Sequence, residues 1–199
     1  QMCIRDSSIH LHRSFTRRFC AYLSGIEKRI GYDEKYRGFL LTDKIASQRD
    51  SVHRAEYYFN LTKNLGVEDD GLGLDLFLKQ EELDRMSSFL ERQNIKKFCL
   101  MHIGANWQAK KWPSRYWAEF IGLVRNKYNI DVVISGTGDD KKEAETISRL
   151  ADCKALILTG RTTLREFISL VKLSSVFVGT DTAPLHIAAA LSTPAVGIY

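Results

Sequence analysis

From residue 97 to the end of the chain, short apolar runs alternate with stretches of helical periodicity, and that alternation admits few folds. Phe98–Ile103, Asp131–Ser135, Ala155–Leu158, Ser175–Gly179 and Ala195–Tyr199 read as strands. Between them, 114–127, 140–151, 163–173 and 184–192 read as helices. Two of these have clear start signals: Pro113-Ser114, and Thr163-Leu164-Arg165-Glu166, a Thr followed three residues later by Glu. Strands joined by helices of this length make right-handed βαβ crossovers, hence a parallel sheet with helices on both faces. The second half is therefore expected to be a Rossmann-like α/β domain.

The first half is less regular. Gln1 to Ser7 match no element or targeting signal and read as a non-native leader. Residues 14–24 suggest a helix stopped by Gly25, followed by a short strand near Arg29-Ile30-Gly31-Tyr32. A second helix is expected from Ser51 to Gly66, and an amphipathic one from Gln80 to Asn94, with Leu83, Met86 and Leu90 on one face. The acidic, glycine-containing run Gly66–Asp75 is the best linker. The expected division is a leader (1–7), a partial amino-terminal domain (8–78) and a carboxy-terminal ligand-binding domain (79–199).

Composition narrows the function. No apolar run approaches the roughly 18 residues that span a bilayer, and Cys3, Cys20, Cys99 and Cys153 form no C-x-x-C pair. Neither a zinc site nor a disulfide framework is implied, and a cytoplasmic setting is expected. The net charge of +5 is unevenly spread: residues 1–66 carry 12 Lys/Arg against 7 Asp/Glu. That basic segment is either a solvated face or a peripheral contact with an anionic membrane surface. Nucleic acid is not expected, because no basic block interleaved with aromatics and no recognised binding signature occurs.

In a parallel sheet, ligands sit at the carboxyl ends of the strands. Three loops there carry chemistry: Gly104 to Pro113, Gly136-Thr137-Gly138-Asp139-Asp140, and Thr180 to His186. In the last, Asp181-Thr182-Ala183-Pro184-Leu185-His186 opens an Ala-rich helix, whose free N–H groups and positive end suit phosphate. Asp181 is either the N-cap or a ligand contact, and His186 either a first-turn histidine or a second contact. Lys110 and Lys111 either neutralise a diphosphate or are solvated. Trp112 is expected to pack, while Trp107 could stack on a ligand. Gly136-Thr137-Gly138 lacks the third glycine of a dinucleotide fingerprint, and Asp139 or Asp140 could simply cap a helix. His10, His12 and His53 have no partner acid at metal or triad spacing, and no nucleophile motif occurs.

Taken together, Gly104-Ala105…Lys110-Lys111-Trp112-Pro113, the Gly136…Asp140…Ala144 segment and Asp181-Thr182-Ala183-Pro184-Leu185-His186-Ile187-Ala188-Ala189-Ala190-Leu191 resemble glycosyltransferase family 9, the ADP-heptose–lipopolysaccharide heptosyltransferases. Upstream, Arg29-Ile30-Gly31-Tyr32 and Arg37…Leu40-Leu41 look like that family's first domain. The resemblance implies a GT-B fold of two Rossmann-like domains and inverting transfer with no metal or other cofactor. It implies ADP-heptose as donor and a lipopolysaccharide core as acceptor. Lys110 would contact the diphosphate, and Asn106 would line the same pocket. Asp140, where many relatives have Glu, would face ribose or sugar. Asp181 would hold heptose hydroxyls, while Thr182, the Ala183 amide and His186 would meet phosphate. Gly160-Arg161-Thr162 would lie against adenine. Ala183 replaces the more usual glycine, which narrows the approach to phosphate.

The family's proposed general base is an Asp in an opening loop that has no counterpart before Ser8, and relatives continue past Tyr199. The expectation is thus a fragment truncated at both ends, with Lys110 and His186 stabilising the leaving group and the base lying elsewhere. Two rival readings are a nucleotide-binding α/β module without transferase chemistry and a sugar-nucleotide epimerase of similar architecture.

Overall fold

A computed structural model describes residues 6–12, 14–34, 38–47, 52, 54–71, 73–105, 107–152 and 154–199. The chain divides into two compact units, Gln1–Gly71 and Leu72–Tyr199.

The first unit contains a parallel three-stranded sheet in the order β1 (Ser7–His10), β2 (Lys28–Asp33), β3 (Asp43–Ala46). Helix α1 (Phe15–Leu23) connects β1 to β2, and Ser14 caps it by accepting from the Arg17 N–H. The left-handed Gly25, at φ +68°, follows that helix, a conformation glycine adopts without steric cost. Helix α2 (Arg54–Lys63) lays Tyr57 and Leu61 on Tyr32 of β2. The Tyr32 and Tyr57 rings stack at 4.1 Å, and the Tyr57 hydroxyl donates to Glu34. Arg18 is buried and donates to the Tyr32 carbonyl at 3.1 Å.

Two strands were not foreseen. Ser7 opens β1 rather than closing a structureless leader, and β3 falls where no strand was read. Ser-Ser-Ile-His and Asp-Lys-Ile-Ala each hold one branched apolar residue, too little for a periodic signal. Their strand geometry comes from pairing with β2, where Ile9 lies opposite Ile30 and Ile45 opposite Tyr32. The second helix starts at Arg54 among the described residues; Ser51, its expected start, lies outside them, as do His53 and Arg37.

The second unit is a parallel five-stranded sheet ordered β6-β5-β4-β7-β8. Its elements run α3 (Gln80–Arg92), β4 (Phe98–His102), α4 (Ser114–Tyr128), β5 (Asp131–Ser135), α5 (Lys141–Leu150) and β6 (Leu156–Ile157). They continue with α6 (Leu164–Leu173), β7 (Val176–Thr180), α7 (Ala183–Ala190) and β8 (Ala195–Ile198). The alternation of side chains along a strand divides the core into two layers. Phe98 and Leu100 of β4, with Val133 and Phe177, pack against α3, α6 and α7 through Met86, Leu170 and Ala188. Cys99 and Met101, with Val132, Ile134 and Val178, pack against α4 and α5 through Trp117, Ile121 and Ile147. Burial also pushes the Cys99 thiol up to about 12, so it behaves as an inert apolar side chain.

The chain enters this sheet at its centre, moves outward through β5 to β6, then returns to lay β7 on the other side of β4. The winding reverses between β4 and β7, and the crevice outside their carboxyl ends is where such sheets bind ligands.

Candidate functional site

A cavity of about 780 Å³ opens at that crevice, bounded by the loops after β4, β5, β6 and β7. Hydrogen bonds tie these loops together. Thr180 Oγ1, at the end of β7, donates to the Gly104 carbonyl at 3.2 Å, and the Gly160 N–H donates to the Gly136 carbonyl at 3.0 Å. Gly160 is left-handed, and a Cβ there would lie 2.7 Å from the Gly138 Cα, so two loops touch through bare backbone.

Asp140 is the anchor of the β5 loop. It is 4% exposed, and its Oδ2 accepts from both the Thr137 amide (2.9 Å) and the Thr137 hydroxyl (2.7 Å). Its Oδ1 accepts from Lys111 Nζ at 3.0 Å. Burial pushes this carboxyl up, but the Thr137 donors and the Lys111 ammonium outweigh it and hold it below the ordinary range. The capping role foreseen for an acid here belongs to Asp140, around the one-turn helix Gly138–Asp140, and its carboxylate also borders the cavity.

Lys111, rather than Lys110, lines this cavity. It bridges Asp140 and Glu143 at 3.0 and 2.9 Å, which raises its own pKa, the Glu143 bond being the larger cause. Trp112 packs edge-on against Trp117, with centroids 4.8 Å apart, and lies near Phe120; it fixes the loop to α4. Trp107 is 72% exposed. Asn106 lies outside the described residues.

At the β7 loop the N-cap of α7 is Thr182, which corrects the capping alternative for Asp181. The Thr182 hydroxyl turns back to the Thr180 carbonyl at 3.2 Å instead of capping, so no side-chain acceptor closes the first turn. The positive end of α7 thus faces the cavity through Thr182, Ala183 and Pro184. Asp181 is displaced from the cap because it pairs with Lys110, whose Nζ is 2.7 Å from Oδ2 and 3.1 Å from the Asp181 carbonyl. That hydrogen bond lowers the Asp181 pKa, with a smaller contribution from His186. The pair borders a smaller space of about 220 Å³ with Trp112, Ile198 and Tyr199. His186 is exposed on the first turn of α7.

The large cavity therefore gathers Asp140, Thr162, Thr182 and Ala183, while Lys110 and Asp181 share its smaller neighbour. Arg161 borders a third space of about 410 Å³, between α3 and α6. Among the lining residues that the sequence reading passed over is His102, the last residue of β4. Its signal was a single polar residue ending an apolar strand at the sheet's centre. Among the described residues, no three His, Cys, Asp or Glu cluster as a metal site would need.

Comparison with known proteins gives a consistent match. The family model for glycosyltransferase family 9 (heptosyltransferase) matches residues 4–199. Lipooligosaccharide heptosyltransferase 2 of Haemophilus influenzae is 25% identical, over 98% of this chain and 60% of its own length. A glycosyltransferase family 9 structure from Veillonella parvula superimposes with a TM-score of 0.82 at 19% identity, covering 98% of this chain and 57% of that one. The E. coli ADP-heptose lps heptosyltransferase II structure gives 0.75 at 22%, covering 98% and 62%. The α/β architecture, with parallel sheets flanked by helices, is shared with these GT-B-type structures. The chain spans between 41% and 60% of the length of the curated relatives it matches.

Proposed function

The chain belongs to glycosyltransferase family 9, and from that premise we propose that its second unit is the nucleotide-sugar side of a heptosyltransferase. The observation that carries this is the cavity at the β4/β7 reversal, which has the positive end of α7 on one wall and the buried Asp140 carboxylate on another. ADP-heptose is the donor and a lipopolysaccharide core sugar the acceptor, in keeping with what the relatives are named for.

The diphosphate sits against Thr182 and the Ala183 amide, where the helix end offers partial positive charge. Lys110 reaches it by leaving Asp181, exchanging a half-exposed ion pair for a doubly charged ligand. Asp181, once released, accepts from sugar hydroxyls. An acceptor hydroxyl attacks the anomeric carbon from the face opposite the leaving ADP, through an oxocarbenium-like state and with inversion. As the C–O bond to ADP breaks, its electron pair stays on the departing phosphate, where Lys110, His186 and the α7 end stabilise the charge. No metal is required in this scheme. The acceptor's proton passes to a carboxylate base. The basic first segment rests on anionic lipid headgroups, and α1 offers exposed Phe15, Phe19 and Tyr22 beside Arg17.

Calorimetry with ADP tests the donor site. Binding is expected, weakened about tenfold or more by Lys110→Ala, which removes a charged partner of phosphate. No binding, or binding indifferent to Lys110→Ala and Asp181→Ala alike, sinks the assignment.

A further inference from the structure

His102 is the one ionisable ring in the floor of the cavity, and its hydrogen bonds fix how it can act. Its Nδ1 is 3.2 Å from Ser135 Oγ, and that hydroxyl is also 3.1 Å from the Met101 carbonyl. A carbonyl only accepts, so Ser135 spends its single proton there. Nδ1 must then carry a hydrogen and donate to Ser135, which leaves Nε2 bare, with its lone pair outward. Phe167 packs edge-on against the ring at 5.5 Å and holds it in place.

Three details define what meets Nε2. Burial pushes the His102 pKa down to about 4, with Asp140 opposing weakly, so the ring is neutral at ordinary pH. Two residues on is Gly104, where a Cβ would fall 3.0 Å from Nε2 and 2.9 Å from Asp140 Oδ2. Both acceptors therefore border one small space that any side chain at 104 would fill. Lys111, the lysine among the described residues that line the cavity, is already shared by two carboxylates. A bare ring nitrogen beside a carboxylate already bonded to Thr137 repels phosphate and favours a hydroxyl donor.

We propose that His102 Nε2 accepts a hydrogen bond from a hydroxyl of the nucleotide-sugar ligand. The inference rests on the nucleotide-sugar reading above and adds a residue to it: His102, beside Asp140 at the end of β4. The hydroxyl belongs to the ribose or to the sugar, and the test separates the two.

Calorimetry of the whole chain is run with ADP, 2′,3′-dideoxy-ADP and ADP-heptose, on the unmodified protein, His102→Asn and His102→Gln. Asn keeps an amide donor for Ser135 but has nothing at the Nε2 position; Gln places an amide there. If the ribose is read, His102→Asn weakens ADP about tenfold and dideoxy-ADP does not distinguish the two proteins. If the sugar is read, ADP is unaffected and ADP-heptose weakens by that factor. In either case Gln recovers part of the loss. Equal affinity of His102→Asn and the unmodified chain for both ADP and ADP-heptose overturns the inference alone. No binding by the unmodified chain overturns the nucleotide reading and this inference with it. The ¹⁵N resonances of the unmodified protein give a reading independent of how the variants fold. A bare Nε2 that shifts on ligand addition supports the bond; a protonated Nε2, or one that ADP and ADP-heptose leave unmoved, overturns it.

Discussion

Gly104 shows how far one residue can govern a site. It stands between His102 Nε2 and Asp140 Oδ2, and neither neighbour is free to retreat. Asp140 is held by Thr137 and Lys111, and His102 by Ser135 and Phe167. Gly104→Ala should therefore destabilise the second unit by about 1–3 kcal/mol through overpacking, read as a shift in the denaturant midpoint, and should reduce ADP binding as well. Asp140→Ala removes an ion-pair partner and a capping acceptor while Lys111 keeps Glu143. A loss of about 1–2 kcal/mol is expected, and a midpoint equal to that of the unmodified chain would show that the loop does not depend on this carboxylate. Little of this was legible beforehand. Asp140 could be placed on a loop, but its burial under Gly104 and Gly136 depends on strands far apart in sequence. His102 was passed over because one histidine in an apolar run has no partner nearby in the chain; Ser135 becomes its neighbour only when β4 pairs with β5.

At the scale of elements, local chemistry and tertiary pairing contribute unequally. The Thr163–Glu166 capping box forms as read, with Glu166 Oε2 accepting from the Thr163 amide at 2.7 Å and Thr163 Oγ1 accepting from the Glu166 amide at 3.3 Å. Thr163→Ala should cost about 1 kcal/mol, measurable by chemical denaturation; an unchanged midpoint would mean that packing alone sets the start of α6. Strands β4, β5 and β7 were readable because each is apolar on both faces and buried between two helical layers. Strands β1 and β3 were not, because each lies at the sheet's edge and carries only one branched apolar residue. Leu100→Ala, at the centre of β4 and fully buried, should cost about 2–5 kcal/mol. A smaller loss would indicate that the α3–α6 layer collapses into the space.

For the whole molecule, the half-buried His102 gives stability a predictable pH dependence. His102 has an ordinary value of 6.5 when unfolded and about 4 when folded. Between these values the unfolded chain binds the extra proton, so stability is complete above about pH 6.5 and declines as pH falls toward 4. Glu82, lowered to about 2 chiefly by its hydrogen bond to Arg165, loses its contribution only below its ordinary 4.5. The decline between pH 6.5 and 4.5 should therefore be shallower in His102→Asn. Equal slopes in the two proteins over that window would remove His102 as its cause.

The parallel α/β build of the second unit, the loops that border its cavity and the start of α7 were all readable along the chain. Those follow from periodicity, capping residues and strand polarity, all properties of contiguous stretches. Which side chains share a cavity emerged with folding: Lys111 with Asp140, Lys110 with Asp181, and His102 facing the space beside Gly104. The reason is the winding of the sheet. Reversing direction between β4 and β7 brings residues about 80 positions apart, such as Gly104 and Thr180, within hydrogen-bonding distance, and no local pattern records which of them will meet.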